Sequence, residues 1–366
     1  MNLPSSSQLN TRTLARIFDN KSESYKLFWF KAILKNVGEG RAEMSYGDLI
    51  DQMIIDAWYM VSEFHLNLGP ADTLEKIVLR LAEISGLTPS EKPEKIKDYL
   101  AECNDAEILR MKKTLTLNVP YRLQAPFMPE ANTAFWKQSP DATVDYINRK
   151  TGMIYTIYRA RGLESTIRIH DEWVDYISEN YGILLGWTDF NLINYLQGRN
   201  PTVPGIASKL YPPQVRKLNN VIKYWRGISE IHPIIDIYDG EVLGSREITI
   251  DHFVPWSYVA SDELWNLIPT SRSINSSKSN NLPRWDAYFE KLCRAEYDAY
   301  KLTQENKNIK GLFERCAREN LNSEEVRQRL YRPGLDRTEF SGQLSEIMMP
   351  VYESARNMGF GEWEFR

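Results

Sequence analysis

The sequence predicts a mostly α-helical protein that carries one small α+β module. Three observations lead there. Apolar residues recur at helical spacing through the first hundred residues and again after Pro283. Between Ile231 and Pro283 the texture changes to short β-rich runs, tight turns and a late helix start. No fixed-period repeat or low-complexity tract interrupts this order. Four segments are expected: a helical region over 1–110, a mixed and mainly helical region over 111–230, the α+β module over 231–285, and a helical region over 286–366.

Residues 1–10, with Pro4 and three serines, read as a loose tail. Over 13–37, Leu14, Phe18, Leu27, Phe28, Phe30, Ile33 and Leu34 keep helical spacing, and Asn36-Val37-Gly38 stops the run. Further helices are expected over 45–64, 73–85 and 93–101. Residues 115–128 contain Pro120 and Pro126 and read as irregular chain or short strand. The β-rich runs 153–158 and 165–169 flank Arg161-Gly162 as a hairpin. Helices follow over 171–181 and 188–197, where Asn200-Pro201 closes the second. Another spans 212–228, with Arg216, Lys217, Lys223 and Arg226 along it.

In the module, Asp239-Gly240 is a hairpin-type turn between 236–238 and 241–243. Residues 246–252 form a second β run. Ser261-Asp262-Glu263 caps a short helix through Trp265, and 272–278 are the first turns of another. Helices over 283–305, 324–330 and 340–358 complete the chain.

Composition bounds the function. Hydrophobic residues at 42% suffice for a sizeable core. The formal charge of −4 excludes a uniformly basic coat, so distribution matters more. Residues 111–230 hold 15 Lys+Arg against 10 Asp+Glu, and 231–283 hold 3 against 7. That is what a metal site beside a phosphate track would look like, and equally what an ordinary solvated surface would. The 20 Tyr and 10 Trp build cores as readily as they stack on bases. Cys103, Cys293 and Cys316 lie far apart without metal spacing, as expected in a reducing compartment. With no signal-peptide form and no apolar run near ~18 residues, a cytoplasmic protein without a membrane span is expected. No P-loop, dinucleotide glycine fingerprint, Gly-x-Ser-x-Gly or His-Glu-x-x-His is present, so those enzyme classes have nothing to point to. His65, His170 and His232 read as ordinary surface or core residues.

The informative stretch is 248–283. Asp-His-x-x-Pro spans Asp251 to Pro255, Trp-Asn-Leu spans Trp265 to Leu267, and Asn-x-x-Lys-Ser spans Asn275 to Ser279. His252 precedes Asn266 by 14 residues and Asn275 by 23. This pattern resembles the HNH, or ββα-metal, nucleases. It is particularly similar to the HNH module of RNA-guided CRISPR nucleases, which likewise ends its motif on Asn. The resemblance covers about an eighth of the chain. The fold it implies is a helical N-terminal region, a ββα-metal (HNH) nuclease module and C-terminal helices.

The chemistry suits these residue types. A neutral imidazole can take a proton from water. One hard divalent cation can neutralise the phosphate and assist the leaving oxygen, and oxygen ligands suit Mg²⁺. The resemblance implies His252 as general base, Asp251 and Asn275 as metal ligands, Mg²⁺ as cofactor with Mn²⁺ able to substitute, and 5′-phosphate and 3′-hydroxyl products. It also implies that Asn266 braces the His252 loop by hydrogen bonds. Lys278, three residues after Asn275 on one helical face, and Arg272 read either as phosphate contacts or as solvated cations. Adjacent strand residues face opposite ways, so Asp251 and His252 share one phosphate only if the chain bends near Phe253–Pro255.

Many HNH proteins hold this core with paired Cys-x-x-Cys zinc knuckles. Here Asp236/Asp239 and Ser271/Ile274 stand in those places, so no structural zinc is expected. Packing by Ile237, Ile248, Ile250, Leu264, Leu267 and Ile268 must serve instead. The expected partner is nucleic acid, DNA ahead of RNA, with a protein partner or a second copy engaging the helical region. Bacterial defence is an expectation by family analogy, and restriction, homing and recombination roles stay open. The alternative is a catalytically inactive HNH fold that binds nucleic acid or scaffolds a complex.

Overall fold

A computed structural model of the chain describes residues 3–212 and 218–365. The chain groups into two compact units: Met1–Pro201 with Lys209–Pro212, and Thr202–Ser208 with Pro213–Arg366. Among the described residues no helix is long and apolar enough to cross a membrane.

The first unit is built on the helices Tyr25–Gly38 and Tyr46–Ser62. Leu27, Phe28, Trp29, Phe30, Ile33 and Leu34 are all buried, so the first of these is covered nearly all round, as its apolar sequence requires. The helix expected over 13–37 is two pieces, Thr11–Leu14 and Tyr25–Gly38. The polar stretch between them lacks an apolar stripe, and Ser24 is tied through N and Oγ to Asp72 Oδ2 at 3.1 and 2.7 Å. The tail is anchored at Pro4, whose carbonyl accepts the Tyr176 hydroxyl at 2.8 Å. Ser45 and Asp48 form a reciprocal cap that starts the Tyr46–Ser62 helix.

A three-stranded antiparallel sheet places Thr166–Ile169 between Glu43–Ser45 and Tyr155–Tyr158. The open edge of Tyr155–Tyr158 is met by side-chain amides. Gln124 accepts from Ile154 and Tyr155 N–H and donates to Tyr155 O, and Asn148 both donates to and accepts from Ile157. Residues 115–128 are not a strand. They form helical turns at Val119–Arg122 and Ala125–Phe127, each with its proline in the opening positions, where a missing N–H costs nothing.

The second unit has one continuous core, from Val221 on the Asn219–Ser229 helix to Phe360 near the C-terminus. Part of the helix expected over 212–228, with Arg216 and Lys217, lies outside the described residues. At Gly227 a Cβ would lie 2.5 Å from Leu312 Cδ1, so glycine allows Asn219–Ser229 to approach Lys307–Asn320 closely. The long helices Trp285–Glu305 and Arg337–Asn357 pack together against the module. Ile237, Ile248, Ile250, Leu264, Leu267 and Ile268 are all buried in this shared core. A module of this size is marginal in the apolar surface it can bury by itself, and the helices add to that core.

Glu296, on the Trp285–Glu305 helix, is only 4% exposed, and its Oε1 has no hydrogen-bond partner among the described residues. Burial drives its carboxyl well above the usual range. A raised folded pKa gives stability that is complete below the unfolded value and is lost as pH rises through and above it. Glu296→Gln is therefore expected to stabilise the protein at pH 7 by about 2 kcal/mol, with the gain shrinking toward pH 4. Urea unfolding at the two pH values checks this; an equal gain at both would refute it.

Candidate active site

The site is assembled where two short strands meet a capped helix. Thr249–His252 pairs antiparallel with Leu267–Thr270, in the register Asp251↔Ile268 and His252↔Leu267. Phe253 N continues the ladder to Asn266 O at 2.9 Å. Pro255 ends it, and a short helix, Trp256–Val259, follows. The Asn266 amide, 1% exposed, takes both backbone groups of Val254: Oδ1 accepts its N–H and Nδ2 donates to its carbonyl, each at 2.8 Å. One buried side chain thus satisfies a backbone that leaves its strand, and holds the bend two residues after His252.

Helix Arg272–Lys278 starts at Ser271, whose Oγ accepts from Ile274 N at 3.3 Å. Asn275 Nδ2 donates to Ile250 O at 3.0 Å, which places the Asn275 side chain beside the strand that carries Asp251. Its amide oxygen remains as the atom able to bind a cation. Thr249, Arg272, Asn275 and Ser276 line one shallow depression, and Arg272 is exposed.

Asp251 is buried at 4% exposure, and each of its oxygens accepts one hydrogen bond. Its Oδ2 accepts the Tyr238 hydroxyl at 2.6 Å and its Oδ1 accepts the Lys278 ammonium at 3.0 Å. Lys278 is itself fully buried and also donates to His252 O at 2.8 Å. Burial, and then the Asp251 charge, hold the Tyr238 phenol well above its usual range, so it remains a donor.

His252 turns to a different partner. Its Nε2 lies 2.9 Å from Asp262 Oδ1, with both side chains largely buried. Asp262 is not part of the expected helix cap: the helical turn begins at Leu264, and Asp262 faces the imidazole. Ten residues separate the pair, and no local signal joins them. Tyr238 sits in the expected hairpin, where nothing in the sequence marks it as a partner of Asp251.

The expected hairpin over 236–243 is a turn closed by Asp236 N to Glu241 O at 2.8 Å, with one bridge, Ile235↔Val242. Gly240 has φ +83°, which glycine adopts without strain. At the knuckle positions, Asp236 Oδ2 accepts from Thr270 Oγ1 at 2.7 Å and from Ser271 N at 3.0 Å, while Oδ1 accepts from Tyr238 N. Burial raises the Asp236 carboxyl and these three bonds oppose the shift. Hydrogen bonds accepted by one carboxylate therefore join the 236–238 turn to the start of the Arg272–Lys278 helix. Among the described residues, no three His, Cys, Asp or Glu side chains group to hold a metal.

With this geometry in place, the comparison with known families is direct: residues 236–284 match the family of HNH endonucleases. This segment is an HNH endonuclease module, flanked by helices on both sides. No curated protein and no solved structure matches the chain.

Proposed function

We propose that the module hydrolyses nucleic-acid phosphodiesters with His252 as general base and a single divalent cation. The observation that carries the reading is the His252–Asp262 pair set beside Asp251 and Asn275 on the strand and helix of an HNH module. With Nε2 protonated and donating to Asp262, the lone pair sits on Nδ1, which takes the proton from the attacking water. Asp262 fixes that tautomer and stabilises the imidazolium that forms. Asn266 keeps the imidazole in place through the backbone it clamps.

The donor set fits a hard cation. Asp251 already binds a positive charge, the Lys278 ammonium, and Asn275 adds an amide oxygen. One carboxylate and one amide leave the remaining coordination to water and phosphate, as Mg²⁺ prefers. Bound there, Mg²⁺ or Mn²⁺ would neutralise charge on the phosphate and the leaving oxygen. Arg272, exposed at the depression, is positioned to meet a neighbouring phosphate. Lys278 serves first as the internal counter-charge of Asp251.

One observation favours the second reading, an inactive HNH fold that binds or scaffolds: both oxygens of Asp251 are engaged. The same engagement supports a nuclease held closed until triggered, as a role in bacterial defence would require. A panel of duplex and single-stranded DNA and RNA, with Mg²⁺, Mn²⁺ or EDTA, separates these. Cleavage of at least one substrate, DNA ahead of RNA, is expected with either metal and none with EDTA. If all four substrates stay intact the inactive reading replaces ours, and cutting in EDTA removes the cation from it.

A further inference from the structure

The first unit contains a cleft of about 760 Å³ that plays no part in the module. Arg16, Lys21, Lys26 and Arg122 line it, against Asp19 and Glu23. Asp19 is taken by Arg16 at 3.3 Å. Among the described residues, Lys21, Lys26 and Arg122 have no carboxylate within ion-pair distance. Lys21 and Lys26 donate to the carbonyls of Phe18 and Asn20 at 2.8 and 2.9 Å, which hold the ammonium groups without neutralising them. The Arg122 guanidinium lies 4.1 Å from the centre of the Trp136 ring, so it is held by its face while its N–H edge stays available.

Unpaired cations repel, and ordinary surface lysines avoid this by turning outward. Here burial, and then the charges of Arg122 and Lys21, push the Lys26 ammonium below its usual range, and the weaker pull of Asp19 does not offset them. Against one remaining carboxylate, Glu23, three cations from separate elements are thus held together by the fold at an electrostatic cost that a further anion would relieve. Ala125, Pro126 and Ala131, all partly exposed, provide an apolar wall, which inorganic phosphate does not need and a nucleoside does.

We infer that this cleft binds a nucleotide unit, its phosphate held by Lys21, Lys26 and Arg122 and its nucleoside against the apolar wall. Phosphodiester strands and free nucleotides share this chemistry. The inference stands apart from the catalytic reading, because binding is read in EDTA, where no cleavage is required.

The test is fluorescence anisotropy on the full chain in EDTA. The probes are a labelled twelve-nucleotide oligothymidine and a labelled ATP, with pyrophosphate as competitor. Lys21→Glu and Lys26→Glu are each expected to weaken binding at least about tenfold, as loss of a charge-assisted phosphate contact does. Lys113→Glu, on an exposed side chain outside the cleft, should change it little. Arg122→Lys, which keeps the charge and loses the fork, is expected to be intermediate. Thermal melts confirm that each variant is folded, and the milder Lys21→Ala replaces any that is not. Binding of ATP alone identifies a free nucleotide, and binding of the oligonucleotide identifies a strand; either supports the site. Pyrophosphate that competes as well as ATP at equal concentration would overturn the nucleoside wall. No binding of either probe, or equal losses in Lys113→Glu and the cleft variants, would overturn the site.

Discussion

His252→Ala is expected to lower metal-dependent cleavage by a factor on the order of 10²–10⁴, the usual worth of a positioned general base. The effect should fall on the chemical step, with substrate affinity nearly unchanged, because the imidazole moves a proton and does not anchor the strand. The His252–Asp262 pair adds a sharper expectation. Asp262→Asn keeps the shape of the partner but removes the charge that stabilises the imidazolium. Cleavage should therefore drop by about 10-fold or more in Asp262→Asn, and adding this change to His252→Ala should cost nothing further. Single-turnover rates on the best substrate of the panel measure all three variants. Full additivity of the two losses would show that Asp262 does not act through His252.

Lys278→Met is expected to destabilise the second unit by about 3–5 kcal/mol, because it leaves the Asp251 carboxylate buried beside an apolar side chain. The pair is 0% and 4% exposed, so solvent screening does not reduce the penalty. Tyr238 remains on Oδ2, but a hydroxyl neutralises no charge. If Asp251 is a cation ligand, millimolar Mg²⁺ or Mn²⁺ should recover part of the loss in Lys278→Met and raise the melting temperature of the wild type less. Thermal melts with and without each ion measure it. A variant as stable as the wild type would mean that the buried pair contributes nothing. A destabilised variant indifferent to both ions would argue against Asp251 as a ligand.

The module was legible in the sequence because its signals are short-range. Strand, turn and capped helix are written in neighbouring residues: Thr249–His252 runs into Pro255, Asp239-Gly240 turns, and Ser271 opens Arg272–Lys278. Some helices with a one-sided apolar pattern were equally readable, and Thr73–Ser85 has the bounds expected for it, but Ala106–Leu115, Pro140–Arg149 and Lys307–Asn320 were not expected. Where reading failed, polar side chains had taken over a backbone's role. The Gln124 segment looked irregular or strand-like because prolines and aromatics hid helical turns, yet its amide completes the strand edge at Tyr155. The 13–37 helix looked continuous because the tie between Ser24 and Asp72 crosses 48 positions.

By itself, then, the sequence determined the kind of module, and motif and spacing single out Asp251, His252, Asn266 and Asn275 as its candidate groups. Tertiary structure alone decided how those groups are held. It set Asp262 on His252, Tyr238 and Lys278 on Asp251, and Asp236 on Thr270 and Ser271. The physical reason is that a buried charge must find a partner wherever packing brings one, and packing joins residues that no local pattern connects.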